Sequence, residues 1–237
     1  MTEPTPRIEV TVSAPPDRAW AALRDRDLVH QWHGWQYDEL GAEIDTIFFT
    51  DVVEEVPGRT LVIGGGDRFD VLPEGTGARI VLTRAPLGGD PEWDAYYQDI
   101  TEGWVSFLHQ LAFALDRHPA DPRRTLFYSR DDLTTAEVVG ALGLDAVTAG
   151  PGERYTTTLR GEDVSGRVWF RSTHQLGLTV DPWGDGLLVV AGIPPSERAP
   201  KGSTMATLTT YGLTEEAYAA LDAGWSAWWA ARPVGTA

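Results

Sequence analysis

The feature that most constrains the fold is a long segment without proline that closes the first half of the chain. Over residues 92–117 apolar side chains recur at intervals of three and four: Tyr96, Ile100, Trp104, Phe107, Leu108, Leu111 and Leu115. This spacing predicts an α-helix with one apolar face. At 1.5 Å per residue the helix would be roughly 39 Å long. A helix with one long apolar face needs a second layer of structure to bury it.

The segments before this helix predict that second layer, an antiparallel sheet. An opening strand is indicated over 8–12, where apolar and polar residues alternate. Two short helices follow, one around Trp20 and one over 27–32. Further strands, separated by Pro-Gly and glycine-rich turns, are predicted over 38–44, 47–55, 60–63, 68–72 and 79–84. Short strands joined by tight turns are typical of an antiparallel meander.

The second half of the chain repeats this order in reduced form. It is predicted to contain a short helix at 134–144, strands at 154–160, 164–172, 175–180, 187–193 and 204–211, and a closing helix from Thr214. A full first strand is not evident, and only 126–128 are predicted as its remnant.

Both closing helices carry an Ala-Tyr pair followed by a Gly-Trp pair, eight residues later in the first half and seven in the second. We therefore predict an internal duplication, with units at 1–119 and 125–237 and a linker between them.

Composition argues against several classes of function. The chain has no cysteine, which excludes disulfides and thiolate chemistry. Its net charge of −16 disfavours binding to nucleic acid or to an anionic membrane. No apolar run approaches the ~18 residues of a membrane helix, and residues 1–10 lack the pattern of a signal peptide. We expect a cytoplasmic protein with neither nucleic acid nor membrane as a partner, and the oligomeric state is not predicted.

Three stretches in the first half resemble a known superfamily. They are the opening IEVTVSAPPDRAWAAL, Trp32 after the second helix, and the closing EGWVSFLHQLAFAL, in this order over roughly 7–118. They resemble the START-like or SRPBCC proteins, which include the major birch-pollen allergen, polyketide cyclases and lipid-transfer domains. The match is best to the branch named after the activator of the ninety-kilodalton heat-shock chaperone's ATPase. The second half is similar by element order and its closing GWSAWW.

The resemblance implies an α+β, helix-grip fold, duplicated in this chain. In that fold a curved antiparallel sheet wraps around a long C-terminal helix, with an apolar cavity between them. Such a cavity suits an apolar ligand.

The sequence predicts no catalytic centre, no metal site and no cofactor. His30 and His33 are three residues apart, but no third ligand follows at an informative spacing, so we predict surface or packing roles for both. The glycine run 64–66 lies between two strands and predicts a hairpin turn, not a phosphate cradle. Neither a Walker loop nor a nucleophile elbow is present.

Aromatic residues are the strongest candidates for ligand contact, because they are numerous and could stack on a flat apolar molecule. Arginines on the strands could orient such a ligand. These are Arg84, Arg160, Arg167 and Arg171. The candidate ligand-binding residues are Trp32, Trp35, Tyr97, Trp104, His109, Trp169, Arg171 and Trp225.

The leading hypothesis is non-catalytic binding of a hydrophobic, aromatic natural product. Some proteins that resemble this branch protect antibiotic producers by binding enediynes, whose diradical abstracts hydrogen from a glycine Cα. The resemblance then implies four candidate sacrificial glycines: Gly88, Gly89, Gly103 and Gly224. Two alternatives stay open. One is an enzyme of the polyketide cyclase or aromatase type, and the other is a regulator of a chaperone ATPase.

Overall fold

The computed structural model describes residues 5–88, 94, 96–195, 200 and 202–231. It divides into two compact units, Met1–Ala120 and Asp121–Ala237. Each unit contains one antiparallel sheet and ends in a long helix. The predicted α+β class is confirmed. In the part of the chain that is described, no helix is both long and apolar enough to cross a lipid bilayer.

The first unit is a five-stranded sheet closed by its last helix. The sheet order is β1-β5-β4-β3-β2, so the first strand pairs with the last one and the others form a meander. Helix α4 packs across β1, and Ser13 at the end of β1 donates its amide N–H to Asp116 of α4 over 2.7 Å. The strands β1–β5 are Arg7–Val12, Val53–Val56, Thr60–Val62, Arg68–Glu74 and Gly77–Thr83, and the helices α1–α4 are Pro16–Arg24, Arg26–His30, Leu40–Phe48 and Tyr97–Arg117.

The second unit repeats this plan with six strands. Its sheet order is β6-β11-β10-β9-β8-β7, so again the first strand pairs with the last. The closing helix α6 lies against β6, where Trp229 Nε1 donates to the carbonyl of Ser129 over 3.2 Å. The strands β6–β11 are Arg123–Arg130, Arg154–Leu159, Glu162–Arg171, Gln175–Val180, Gly186–Ile193 and Ser203–Tyr211, and the helices α5 and α6 are Thr135–Ala141 and Glu215–Ala230.

The shared strand order and closing helices confirm the predicted duplicated helix-grip fold. Helices α5 and α6 each begin with a side-chain cap. Thr134 forms a capping box with Glu137 at the start of α5, and the Thr214 hydroxyl accepts from the amide of Ala217 at the start of α6. The predicted glycine turn joins β3 to β4, with positive φ at Gly65 and Gly66.

The prediction that the second unit lacks a full first strand is wrong. Strand β6 has eight residues, and all of them pair with β11, from Arg123 opposite Tyr211 to Arg130 opposite Thr204. The charged ends of the strand conceal it in the sequence. Arg123 is nevertheless buried, so β6 begins inside the segment that was predicted to be a linker.

The strands predicted over 38–44 and 47–55 are also wrong. This region forms helix α3, and only Val53–Val56 forms a strand, with all four residues exposed. Leu40, Ile44 and Phe48 are four residues apart and fully buried, which is helical spacing. Gly41 obscured the helix, since glycine costs about 1 kcal/mol there. Its missing side chain makes room for the guanidinium of Arg26, which donates to the Gly41 carbonyl over 3.2 Å.

Candidate functional site

The rings of Trp32 and Trp104 lie in the core of the first unit. Phe48 contacts both, with ring centroids 5.5 Å from Trp32 and 6.2 Å from Trp104, and Phe69 lies 5.5 Å from Trp104. The Trp32 indole N–H donates to the carbonyl of Ala22 over 2.8 Å. These side chains pack against one another in the core.

Tyr97 and Arg84 hold the beginning of α4 against the sheet. The buried Arg84 guanidinium lies 3.0 Å from the carboxylate of Asp67, and donates to the Thr101 hydroxyl over 2.6 Å. It also lies 4.5 Å from the centroid of the Tyr97 ring, whose hydroxyl donates to the carbonyl of Ala85. Their interactions are those of a structural anchor.

Two other candidates of the first unit lie apart from that anchor. Trp35 is half-buried and lies 6.3 Å, between ring centroids, from Phe107. His109 is half-buried on α4, and burial lowers the pKa of its imidazole to about 4. His109 is therefore neutral near pH 7.

Three side chains of the first unit, Tyr37, Glu43 and His33, form a hydrogen-bonded network that the sequence did not predict. His33 is almost fully buried, and its Nε2 atom lies 2.9 Å from a carboxylate oxygen of Glu43. The same carboxylate also accepts a hydrogen bond from the Tyr37 hydroxyl. The hydrogen bond from His33 is the main cause that lowers the pKa of Glu43, while burial raises the pKa of Tyr37 to about 12. Helix α3 brings Glu43 to His33. Because the sequence patterns predicted strands in place of this helix, they could not indicate the hydrogen bonds among Tyr37, Glu43 and His33.

In the second unit, Trp225 lies in the core beneath the tip of the β7–β8 hairpin. The tip, Arg160–Gly161, has positive φ at both residues, as a type I′ turn requires. The Arg160 guanidinium carbon lies 4.7 Å from the centroid of the Trp225 ring, and Tyr128 stacks on that ring at 6.0 Å. The side chain of Arg160 is thus used to pack the hairpin tip onto α6.

The four candidate glycines have different surroundings. A Cβ on Gly88 would meet no atom within 4 Å, whereas one on Gly224 would lie 3.2 Å from a guanidinium nitrogen of Arg160. A Cβ on Gly103 would meet only Phe107 of its own helix, at an ordinary 3.7 Å. No side chain or backbone of the sheet lies within 4 Å of that position in the described residues. Gly89 lies outside the described residues.

A cleft of about 250 Å³ lies in the second unit, between helix α5 with the segment after it and strands β8, β9 and β10. Its apolar lining is Val139, Leu144, Val147, Leu176 and Val190. Its polar lining is Thr135, Asp145, Arg171, Ser172, Thr173, His174 and Gln175.

A β-bulge in strand β8 directs Arg171 toward this cleft. Val168 pairs with Leu178, both in the core, but Phe170 pairs with Gly177 because the register shifts between Val168 and Phe170. Arg171 consequently pairs with Leu176 and shares its face of the sheet. In a regular strand, alternation would have turned Arg171 to the opposite face.

Of the eight candidate residues, Arg171 lines the cleft. Trp169 is the extra residue of the bulge, half-buried, and is not part of the cleft lining. The signal for the bulge lies in the sequence: Val164, Gly166 and Val168 alternate with polar residues, and Trp169 and Phe170 then follow as two large apolar residues in succession.

No family model matches the chain, and no curated protein matches it. Solved structures do. The DynU16 protein from the dynemicin biosynthetic locus is 19% identical, with 95% of this chain and 94% of that chain covered and a TM-score of 0.36. The Aha1 dimer from Colwellia psychrerythraea is 17% identical, with 47% and 97% covered and a TM-score of 0.34. The di-domain ARO/CYC protein BexL from the BE-7585A biosynthetic pathway is 11% identical, with 92% and 88% covered and a TM-score of 0.33.

Both units pair their first strand with their last and end in a helix packed on that first strand. By this architecture the chain is a tandem helix-grip protein.

Proposed function

We propose that this protein binds a small aromatic molecule in the cleft of the second unit without transforming it. The cleft itself is the observation that carries the proposal, since most of its apolar lining residues are buried and most of its polar lining residues are exposed at the rim. Ligand sites typically combine these two features in ~300–1,000 Å³. A volume of about 250 Å³ suits the fused rings of a ligand whose remainder projects into solvent.

The titratable groups at the rim favour binding over catalysis. Asp145 and His174 both line the cleft. In the described part of the chain, neither side chain is hydrogen-bonded to another titratable group. Acid–base catalysis needs a proton donor or acceptor held within hydrogen-bonding reach of its partner and substrate. The cleft offers orientation and desolvation, which are what a binding protein requires.

Isothermal titration calorimetry with the neutral probe 2-naphthylmethanol tests the proposal. Thr173 is exposed at the rim, so Thr173→Trp should obstruct the cleft without disturbing the core. Thr156→Trp is the matched control, because Thr156 is exposed on β7 and does not line the cleft. We expect binding to the unmodified chain and to the control, and at least about tenfold weaker binding to Thr173→Trp. No binding to the unmodified chain, or equal binding to all three, would remove the proposal.

A more specific form of the function is sequestration of an antibiotic, including an enediyne that is quenched on a glycine. Gly88 fits this role best sterically, because its surroundings are open, while Arg160 covers Gly224. Incubation with a cycloaromatising enediyne followed by intact-mass measurement would locate any cleavage. Fragments ending at one candidate glycine support self-sacrifice, and an intact chain removes it.

A second candidate function is that of a cyclase-type enzyme. It is supported by the hydrogen-bonded network of Tyr37, Glu43 and His33. This network links an exposed hydroxyl to a buried imidazole, and an ionised carboxylate in the middle can orient a proton donor. Turnover of a poly-β-ketone that is lost in Glu43→Gln would support this function. Absence of turnover by the unmodified chain would exclude it for that substrate.

The role of chaperone ATPase regulator, implied by the resemblance, stays a prediction. Failure of the full chain to co-purify with the chaperone would remove it.

A further inference from the structure

We infer that the ligand of the second-unit cleft carries an anionic oxygen group, a carboxylate or phenolate, at the edge of its ring system, and that Arg171 binds this group. The inference rests on the proposed function and adds the chemical class of the ligand.

Among the residues that the structure describes, Arg171 has no carboxylate partner, in a chain that is rich in carboxylates. The chain has 35 acidic residues against 19 basic ones. Arg68, Arg84 and Arg130 each contact an aspartate at 3.0 Å or less. For Arg171 the described residues provide a single acceptor, the carbonyl of Val147 at 2.8 Å from Nη2. A guanidinium has five N–H donors, so most of its hydrogen-bonding capacity is left for a ligand.

The backbone of strand β8 places the Arg171 side chain beside the apolar lining of the cleft. The bulge at Val168–Phe170 is the reason that Arg171 shares a face with Leu176 and not with Trp169. Bulges are commonly found where a strand must redirect a side chain next to a site. The bond to Val147 then ties the guanidinium to the segment that forms the cleft's other wall.

The resulting arrangement matches one kind of ligand. Val147, Leu176 and Val190 receive the apolar rings, and the planar guanidinium at the rim receives two coplanar oxygens or one phenolate. His174 at the same rim can donate a further hydrogen bond. Charges are screened beyond ~8 Å at physiological ionic strength, so most of the net charge of −16 has little effect on an anion in the cleft. Asp145 is the carboxylate that lines the cleft itself, and it opposes an anion there. The inference requires that direct contact with Arg171 outweighs the repulsion by Asp145.

The experiment compares two probes with the same rings, 2-naphthoate and 2-naphthylmethanol, by calorimetric titration of the full chain. A charge-assisted hydrogen bond is worth about 1.5–3 kcal/mol, so 2-naphthoate should bind roughly ten- to a hundredfold more tightly. Arg171→Gln, which replaces the guanidinium with a neutral amide, should abolish this difference by weakening the binding of 2-naphthoate at least about tenfold. Arg167→Gln is the matched control, since Arg167 is an exposed residue of the same strand whose guanidinium also donates to a backbone carbonyl, that of Gly152.

The outcomes separate the inference from the function on which it rests. If both probes bind equally, or if Arg171→Gln retains the preference for naphthoate, the inference is overturned while the cleft remains a binding site. If Arg167→Gln abolishes the preference as Arg171→Gln does, the effect is general electrostatics and the inference is overturned. If neither probe binds, both the proposed function and the inference fail.

Discussion

The ring of Phe170 lies directly across Gly177 on the neighbouring strand. A Cβ on Gly177 would lie well inside the van der Waals contact distance from ring carbon Cε1. The two residues are paired in the sheet on the face opposite the core, and this pairing is the direct result of the bulge. Phe170 facing away from the core and Arg171 facing the cleft are two consequences of the same register shift.

Gly177→Ala should therefore lower the free energy of unfolding by about 1–3 kcal/mol, because the buried Phe170 must move or tilt. Urea denaturation measures this. Gly140→Ala is the control, since a Cβ there meets no atom within 4 Å and alanine is the better helix former. That variant should be neutral or slightly more stable. A Gly177→Ala variant as stable as the unmodified chain would contradict the described packing.

Gly103→Ala should raise the stability of the first unit by up to about 1 kcal/mol. The added methyl group makes only an ordinary contact with Phe107, and alanine loses less conformational entropy in a helix than glycine. Native-state hydrogen exchange of the α4 amides would report the gain. Destabilisation by 1 kcal/mol or more would mean that α4 lies closer to its neighbours than described.

Breaking the buried pair of Arg84 and Asp67 should be costly. Arg84→Met leaves the Asp67 carboxylate buried without its cation, for which about 3–5 kcal/mol is typical. The exposed contact of Arg79 with Glu74 provides the control, and Arg79→Gln should cost under about 1 kcal/mol. Exchange rates of the α4 amides distinguish the two. Equal, small effects would contradict the anchoring role of Arg84.

His109 should make the stability of the chain depend on pH. Burial lowers the folded-state pKa of His109 from 6.5 to about 4, so between these values the unfolded chain binds a proton that the folded chain does not. Stability is therefore lost as pH falls from 6.5 toward 4, with a slope approaching ~1.4 kcal/mol per pH unit. In His109→Gln this contribution is absent. Denaturation curves with the same pH dependence for both proteins would rule out a depressed pKa at His109.

The fold was predictable where residue periodicity is regular. The closing helices, the β9 and β10 strands and the caps at Thr134 and Thr214 all follow from local patterns. Two elements were not, for physical reasons. Charged residues at the ends of β6 hide a strand that is specified by pairing with β11, which lies far away in the sequence. Gly41 in α3 lowers helix propensity in exchange for contact with Arg26.

The site was less predictable than the fold. Arg171 could be named as a strand arginine, but its direction depends on a bulge whose position is set by the pairing with β9. Large aromatic rings fill a core as readily as they line a cavity, so their number in the sequence does not locate a site. Trp32 and Trp104 each contact Phe48 in the core of the first unit, while Trp225 is covered by Arg160 and Tyr128 in the second.

The central claim is that the second-unit cleft, and not the interior of the first unit, receives the aromatic ligand. Methyl-detected NMR titration of the full chain with 2-naphthylmethanol tests this most directly. Saturable shift changes should occur at Leu144, Leu176 and Val190, which line the cleft, while Leu108 and Leu111 in the first-unit core should be unaffected. Shift changes confined to Leu108 and Leu111, or none at the cleft methyls, would contradict the claim.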